Sequence, residues 1–269
     1  MSKKIDRTGE VGISNQGCVM KIVEYNNCDD IIIEFQDEHK SRVRTSYKHF
    51  KEGVCKNPFF PSVCGHGYLG IDKEGNVPKT KELKDGKSIN TWEYHKWMNM
   101  LQRCFDNKEK ERHPTYKDVT CCSRWLCYAN FLEDLEILRQ EYNWSEDEKL
   151  NLDKDILNKG NKIYSLENCV LVPNWINTLF VKTDASRGEY PVGVSYNKAN
   201  KKYQALCNIN RKLIRLGLYN TIEEAFNTYK QAKENEIKRV ANDCVQKSFI
   251  SKDSRLYKAM INYQIKITD

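Results

Sequence analysis

Residues 150–179 constrain the fold more than any other part of this chain. Two short apolar segments, 150–153 and 169–172, are separated by polar residues that include a Gly-Asn pair, a pattern that predicts a β-hairpin. A Pro-Asn pair then opens a segment of helical spacing, because proline is favoured in the first turn of a helix. We therefore expect a hairpin packed on a helix, with Asp153 and Asn177 directed at one spot.

The size of the chain suits several small modules better than one large domain. Its 269 residues can form two or three domains of about 100–150 residues each. Hydrophobic residues make up 39% of the sequence and charged residues 30%, so each core is expected to be small and enclosed by polar surface. The pattern of elements predicts an α+β, multidomain fold.

Eleven cysteines raise the question of a zinc site or of disulfides. Cys121 and Cys122 are adjacent, Cys127 stands alone and no Cys-x-x-Cys pair occurs, a spacing that argues against zinc. The odd count, the lack of a signal-peptide pattern and the lack of a run near 18 apolar residues predict a reduced, soluble, cytoplasmic protein without a membrane partner.

Residues 1–69 are predicted to form a small, curved, SH3-like β unit. Strand patterns at 19–25 and 31–35 flank a turn rich in Asn and Asp, and a polar strand at 41–45 precedes one helical turn at 47–53. Basic residues on these strands could contact a nucleic acid or a partner protein, and the sequence does not choose between the two.

Residues 70–182 are predicted to form a central domain that ends in the hairpin and helix described above. The lysine- and glycine-rich segment at 70–90 indicates a linker or an exposed hairpin. Helical periodicity follows at 92–105 and again at 125–138, each time with one apolar face. We interpret both apolar faces as core.

A three-stranded sheet on one helix is predicted for 183–243. Three short strands lie between 192 and 219, separated by turns rich in asparagine. Thr221 and Glu224 form a capping box at the start of an amphipathic helix. Residues 244–269 are expected to be a partly ordered tail, to which the sequence assigns no function.

Positive charge is concentrated on this predicted sheet. The whole chain has a formal charge of +7, and the segment from 187 to 219 alone contains seven basic residues and one acid, a net +6. Such a cluster favours an anionic partner, with a solvated charged face as the alternative. The residues expected to contact the phosphates, sugars or base edges of double-stranded DNA are Arg187, Tyr196, Lys198, Lys201, Lys202, Tyr203, Arg211, Lys212 and Arg215.

Residues 188–242 resemble a known DNA-binding family. The segment contains Tyr-Pro-Val-Gly-Val, Lys-Tyr-Gln-Ala and Arg-Leu-Gly-Leu-Tyr-Asn-Thr-Ile-Glu-Glu-Ala in this order. It is similar to the Apetala-type DNA-binding domain of plant ethylene-response factors, copies of which accompany phage endonucleases and integrases. The resemblance implies that the sheet, not the helix, lies in the major groove.

Residues 92–179 resemble phage HNH-type endonucleases, including homing endonucleases. The resemblance is carried by Trp-Met and Arg-Cys pairs at 97 and 103, Pro-Thr-Tyr at 114, Ser-Arg-Trp at 123, Leu-Asp-Lys-Asp-Ile at 152 and Tyr-Ser-Leu-Glu-Asn-Cys at 164. It implies a ββα metal site in which Asp153 and Asn177 hold one Mg²⁺ or Mn²⁺ ion. Asn168 would pin the loop.

Lys154 departs from the pattern of this family. Many members carry a histidine after the metal-binding aspartate, as the general base that activates water. An ordinary lysine has a pKa near 10.4, so only about 0.04% is neutral at pH 7. A nearby cation would lower the pKa of Lys154, His95 or His113 could supply the base, or Lys154 could clamp a phosphate while catalysis is weak or lost.

Three hypotheses follow from the sequence. The first is a metal-dependent, HNH-like DNA endonuclease or nickase that its C-terminal domain directs to a site, with the metal polarising the scissile phosphate. The second is a DNA-binding protein built on a decayed nuclease that acts by occupancy alone. Whichever hypothesis holds, the alternative to a metal site is that Asp153, Asp155 and Asn168 only cap a surface hairpin. The third is a phage-encoded interaction protein whose N-terminal unit binds another protein.

Overall fold

The protein has a mixed α+β structure, as the sequence predicts. The computed structural model describes residues 5–145, 147–180 and 189–268. The chain divides into two compact units, Met1–Leu135 and Glu136–Asp269, and the finer division into segments 1–69, 70–182, 183–243 and 244–269 stays a prediction. Across the described ranges, no helix is long and apolar enough to cross a membrane.

The first unit begins with an antiparallel sheet whose strands are ordered as in the sequence. Its strands alternate between buried and exposed residues, and Met20, Ile33 and Phe35 are fully buried. A short helix with Phe50 closes this core, so the predicted strands and helical turn are confirmed. The elements are β1 Val11–Ile13, β2 Val19–Asn27, β3 Asp30–Phe35, β4 Arg42–Thr45 and α1 Tyr47–Glu52.

The rest of the first unit is mainly helical. Residues 81–90 form an exposed hairpin within the segment at 70–90, for which the sequence predicts a linker or an exposed hairpin. Two buried tryptophans tie the helices together, since Trp97 donates to the carbonyl of Trp125 at 2.7 Å and Trp125 donates to Asp134 at 2.7 Å. The elements are β5 Lys81–Lys84, β6 Lys87–Asn90, α2 Trp92–Phe105, α3 Asn107–Arg112, β7 Thr120–Cys121 and α4 Tyr128–Gln140.

The second unit contains the predicted hairpin and helix. Strand β8 (Leu150–Asp153) pairs antiparallel with β10 (Val170–Pro173), with Asp153 opposite Val170, and helix α5 (Asn174–Phe180) follows directly. All four residues of β10 are buried, as a continuous apolar run predicts. A short strand, β9 (Ile163–Tyr164), lies in the long connection between the two strands.

The three-stranded sheet and its helix also form as predicted. The strands are β11 Val194–Asn197, β12 Lys202–Ile209 and β13 Lys212–Tyr219, in sequential antiparallel order. Helix α6 (Ile222–Gln246) starts with the capping box of Thr221 and Glu224. Its first turns pack on this sheet through Phe226 and Tyr229, and its later turns pack on β10 and α5.

The expectation of a partly ordered C-terminal tail is wrong. Residues 255–261 form helix α7 (Arg255–Ile261), and Leu256 and Met260 are fully buried. They complete the core that contains β10, α5 and the end of α6. The tail is ordered because these two apolar side chains, four residues apart, lie on one face of the helix and are covered.

Candidate nucleic-acid interface and candidate metal centre

The two faces of the β11–β13 sheet differ in their surroundings. Val194 and Ala205 are paired and buried against α6. Because side chains alternate along a strand, Lys202 and Arg215 lie on the other face, which α6 leaves open. Arg215 stands opposite Leu206 near the middle of that open face.

Four other predicted basic residues lie at the two ends of the sheet. Lys198 and Lys201 belong to the turn between β11 and β12, whereas Arg211 and Lys212 lie at the turn between β12 and β13. The eight residues of β12 separate the turns by about 25 Å, at roughly 3.3 Å per residue. The major groove is about 12 Å wide, so cations at both ends are far enough apart to reach phosphates on either side of it.

Six basic residues of this sheet have no acidic partner among the residues that the structure describes. No ion pair within the described ranges involves any of the six, and each is exposed. The acids of α6 are paired with cations of the same helix, Glu234 with Lys230 and Glu236 with Arg239. The six are Lys198, Lys201, Lys202, Arg211, Lys212 and Arg215, and Arg187 lies outside the described residues.

Cations on the first unit's sheet are arranged differently. Arg42 is 3.0 Å from Glu34, and Arg44 binds both carboxylate oxygens of Asp30 at 2.6 Å. The Arg44 guanidinium holds the pKa of the Asp30 carboxyl below its ordinary value. These arginines are neutralised within their own sheet, unlike the cations of β11–β13.

The two predicted tyrosines lie on the helix side of the sheet. Tyr196 and Tyr203 are opposite each other, two residues from the buried Val194 and Ala205, and their ring centroids are 5.3 Å apart. Tyr190 contacts both rings. The structure therefore places these tyrosines in an aromatic cluster, away from the face that carries Lys202 and Arg215.

Asp153 ends β8 and closes a tight turn. Its Oδ1 accepts hydrogen bonds from the amides of Asp155 at 2.7 Å and Ile156 at 2.9 Å, which is the capping role considered from the sequence. Burial raises the pKa of the Asp153 carboxyl, and the two amide bonds offset part of that effect. Its Oδ2 has no hydrogen bond to another described residue.

Lys154 is buried and held by two acceptors. Its Nζ lies 2.6 Å from Oδ2 of Asp155 and 3.0 Å from the carbonyl oxygen of Asn161. The ammonium also lies 5.8 Å from the centre of the Tyr164 ring. The ammonium is therefore engaged by a carboxylate, a carbonyl oxygen and an aromatic face, and these contacts suit a structural cation better than a general base.

Asn168 and Asn177 occupy different surroundings. The side-chain oxygen of Asn168 accepts a hydrogen bond from Asn158 at 3.4 Å, across the long β8–β10 connection. Asn177 is half-buried on α5, a helix that contacts both β8 and β10. The local ββα arrangement thus contains an acid at a strand end and an amide on the following helix.

The donors offered by the ββα arrangement fit a hard cation only in part. Oδ2 of Asp153 and the amide oxygen of Asn177 are the ligand types that suit Mg²⁺ or Mn²⁺. Lys154 does not fit as the neighbouring base, because Asp155 engages it. Within residues 5–145, 147–180 and 189–268, no group of three or more His, Cys, Asp or Glu side chains is arranged to hold a metal ion.

The alternative bases have local partners in the first unit. Nδ1 of His95 lies 3.2 Å from the side-chain nitrogen of Asn99, one turn along the same helix. Nε2 of His113 lies 3.7 Å from Glu109. Neither histidine therefore shows a contact that marks it as a catalytic group.

Two features of the second unit were missed in the sequence. Arg255, from the supposed tail, binds both oxygens of Glu141 at 2.7 Å and donates to the carbonyls of Leu166, Glu167 and Cys169. It thereby fixes the connection that leads into β10. A cleft of about 720 Å³ also opens between α5, α6 and the β12–β13 turn. No spacing rule in the sequence pointed to either feature.

Comparisons of the chain with known protein families, curated proteins and solved structures found no match.

Proposed function

We propose that this protein binds double-stranded DNA through the β11–β13 sheet. The observation that carries the proposal is the set of six exposed cations that have no acidic partner in the described part of the chain and are spread over the open face and both ends of one sheet. Arginine and lysine bind phosphates, and arginine also reads guanine edges in the major groove. Unpaired cations fit this role because no ion pair must be broken before they bind.

A pair of substitutions on the open face tests the proposal. Lys202→Gln with Arg215→Gln removes two cations and leaves the buried face intact, so we expect weaker binding and a salt slope smaller by about 2 in a plot of log K against log salt. Fluorescence anisotropy with a labelled duplex measures both quantities.

The first unit supplies a matched control. Arg42→Gln with Arg44→Gln removes the same charge from another sheet, but these arginines are already paired with Glu34 and Asp30. We expect this variant to keep the salt slope of the wild type. Equal losses in the two variants would mean that net charge, rather than the β11–β13 sheet, attracts the DNA.

A second candidate function is metal-dependent cleavage of the bound DNA. The observation that favours it is the β8–β10–α5 arrangement, with Asp153 at the strand end and Asn177 on the helix. In this proposal the two side chains bind Mg²⁺ or Mn²⁺, and the ion would stabilise charge on the phosphate. Lys154 acts as a structural cation, and the water-activating base lies elsewhere.

Supercoiled plasmid separates binding from cleavage. Incubation with excess protein and Mg²⁺ or Mn²⁺ should give nicked or linear DNA if the second candidate is correct. Asp153→Asn keeps an oxygen for the amides of Asp155 and Ile156 but removes the charge, so it should abolish cleavage and preserve duplex binding. Intact plasmid at all protein concentrations, with normal binding, would leave DNA binding as the function and reject cleavage.

A further inference from the structure

The cleft in the second unit has the dimensions of a small-molecule site. Its volume of about 720 Å³ lies within the range of roughly 300–1,000 Å³ that is usual for ligand pockets. Trp175 of α5 and Phe249 contribute aromatic surface to its wall, and both are half-buried. Leu179 and Val240 add apolar surface. The cleft can therefore accept a flat, partly apolar group.

The charges around the cleft leave an excess of free cations. Glu236 is bound by Arg239, and Asp243 is bound by the same guanidinium. Glu148 accepts a hydrogen bond from the indole of Trp175 at 3.2 Å. By contrast, the cations without an acidic partner in the described ranges are Lys233, Arg211 and Lys247.

Lys233 is the most informative of these cations. It is half-buried on α6, and within the described part of the chain its ammonium makes no hydrogen bond or ion pair. Burial lowers its pKa, and nearby Cys207 and Glu236 offset part of that effect. A partly desolvated ammonium without a partner costs stability, so an anionic ligand would supply the interaction that the fold does not.

The turn between β12 and β13 places Arg211 at the cleft. Asn210 and Arg211 have φ values of 51° and 61°, the left-handed region in which a bulky side chain is unfavourable and glycine is usual. The amide of Asn210 donates to Glu236 at 2.9 Å, which anchors the turn to α6. Asn208 and Asn210 also line the cleft, and their side-chain amides make no hydrogen bond within the described residues.

We propose that this cleft binds a nucleoside phosphate, with the base against Trp175 and the phosphate held by Lys233 and Arg211. Aromatic surface, unpaired cations and free amides are the three chemical features that a base, a phosphate and a base edge require. The proposal does not rest on duplex binding by the sheet. The ligand is either a free nucleotide or one nucleotide of a single strand, and the two sources are separated below.

Calorimetric titration with deoxyadenosine 5′-monophosphate tests the site. Saturable binding to the full chain is expected, and Lys233→Met should weaken it by about tenfold because a charge-assisted hydrogen bond is lost. Deoxyadenosine, which lacks the phosphate, should bind more weakly and should not distinguish Lys233→Met from wild type. Trp175→Leu should weaken the binding of both the monophosphate and the nucleoside.

Lys238→Met is the matched control. Lys238 is an exposed lysine on the same helix and does not line the cleft, so its replacement should leave binding unchanged. Folding failure is not expected to obscure the result, because Lys233→Met removes a partly buried charge that makes no ion pair with any described residue. Its melting temperature should equal or exceed that of the wild type.

A short single-stranded oligodeoxyadenylate separates the two sources of ligand. If the oligonucleotide binds and Lys233→Met weakens that binding, the site is assigned to a nucleotide within a strand. Binding of the mononucleotide alone would assign it to a free nucleotide. No saturable binding of either ligand at about 1 mM, or equal binding by Lys233→Met and wild type, would overturn the proposal. The double variant Lys202→Gln with Arg215→Gln should keep mononucleotide binding. Failure of duplex binding by the sheet can therefore be distinguished from failure of nucleotide binding in the cleft.

Discussion

Lys154 braces the beginning of the connection between β8 and β9. Its ammonium joins Asp155 to the carbonyl oxygen of Asn161, seven residues along the chain. Asn161 returns a hydrogen bond to the carbonyl of Lys154 at 2.9 Å. The two residues thus close the loop from both sides, which explains why a long cation is buried there.

Replacing Lys154 by methionine should destabilise the fold without affecting DNA binding. The aliphatic part of the side chain is retained, but the carbonyl of the half-buried Asn161 loses its donor, at a cost of about 1–3 kcal/mol. Urea denaturation measures the loss. Lys149→Met, at an exposed position just before β8, should change stability by less than about 0.5 kcal/mol. Unchanged stability of Lys154→Met would show that the ammonium is not a brace.

The depressed pKa of Lys233 predicts a pH-dependent effect on stability. The unfolded state binds more protons than the folded state between the lowered folded pKa and the ordinary value of 10.5, so stability rises with pH through that window. Lys233→Met lacks this gain. Its advantage in melting temperature over the wild type should therefore be largest near neutral pH and should disappear above pH 10.5. An advantage that does not vary with pH would reflect packing alone.

The sequence indicated which residues could form a functional site, but not which hydrogen-bond or ion-pair partners their side chains would have. Asp153, Asn168 and Asn177 were singled out from motif and resemblance, and their positions at a strand end, in a loop and on a helix follow that pattern. The burial of Lys154 was not foreseen, because it depends on how a long loop folds back. Side-chain partners separated by a loop are fixed by three-dimensional packing, not by spacing.

At the scale of elements, α7 and the connection before β10 stabilise each other. Arg255 gives five hydrogen bonds to Glu141 and to the carbonyls of that connection. The helix is only seven residues long, and helices of this length are marginal without tertiary packing. Weak local preference explains why the sequence predicted a tail here.

Arg255→Met should therefore destabilise the second unit. The partly buried Glu141 loses its cation and three carbonyls lose their donor, so we expect a loss of about 2–4 kcal/mol in urea denaturation. Arg255→Lys should recover only part of it, because lysine cannot reproduce the planar bidentate contact. A loss below about 0.5 kcal/mol for Arg255→Met would contradict this role.

The strands and helices with strong periodicity were predictable from the sequence. The alternation that decides on which face of the β11–β13 sheet each side chain lies was also available, but it was not fully used. Val194 and Ala205 already mark the buried face, and alternation from them puts Tyr196 and Tyr203 on the same side. The sequence interpretation grouped these tyrosines with the cations by proximity along the chain. Their period-2 relation to the apolar residues was the available signal.

At the scale of the whole molecule, the fold class was predictable from element patterns, whereas the distribution of free charge was not. Both sheets carry arginines and lysines in the sequence. Only the structure reveals that Arg42 and Arg44 form ion pairs with Glu34 and Asp30 of the neighbouring strand. Pairing depends on strand register, which composition does not contain. Helix α6 likewise packs on both the sheet and the ββα arrangement, a contact pattern that local sequence motifs do not contain.

Salt dependence of the full chain tests the number of free cations. If the six basic residues of the sheet each contact a phosphate, duplex affinity should fall by about a thousandfold between about 50 and 200 mM salt. Anisotropy titrations across that range give the slope. A slope near zero would show that these cations do not contact the DNA backbone.

Arg211 belongs to both the basic sheet and the cleft of the second unit. One guanidinium cannot bind two separate phosphates fully at the same time, so the two ligands would compete for it. Thermodynamic reciprocity then requires that a nucleotide weakens duplex binding by the same factor by which the duplex weakens nucleotide binding. The strained turn at Asn210 and Arg211 would thus make a free nucleotide, or a nucleotide of a single strand, a negative effector of duplex binding.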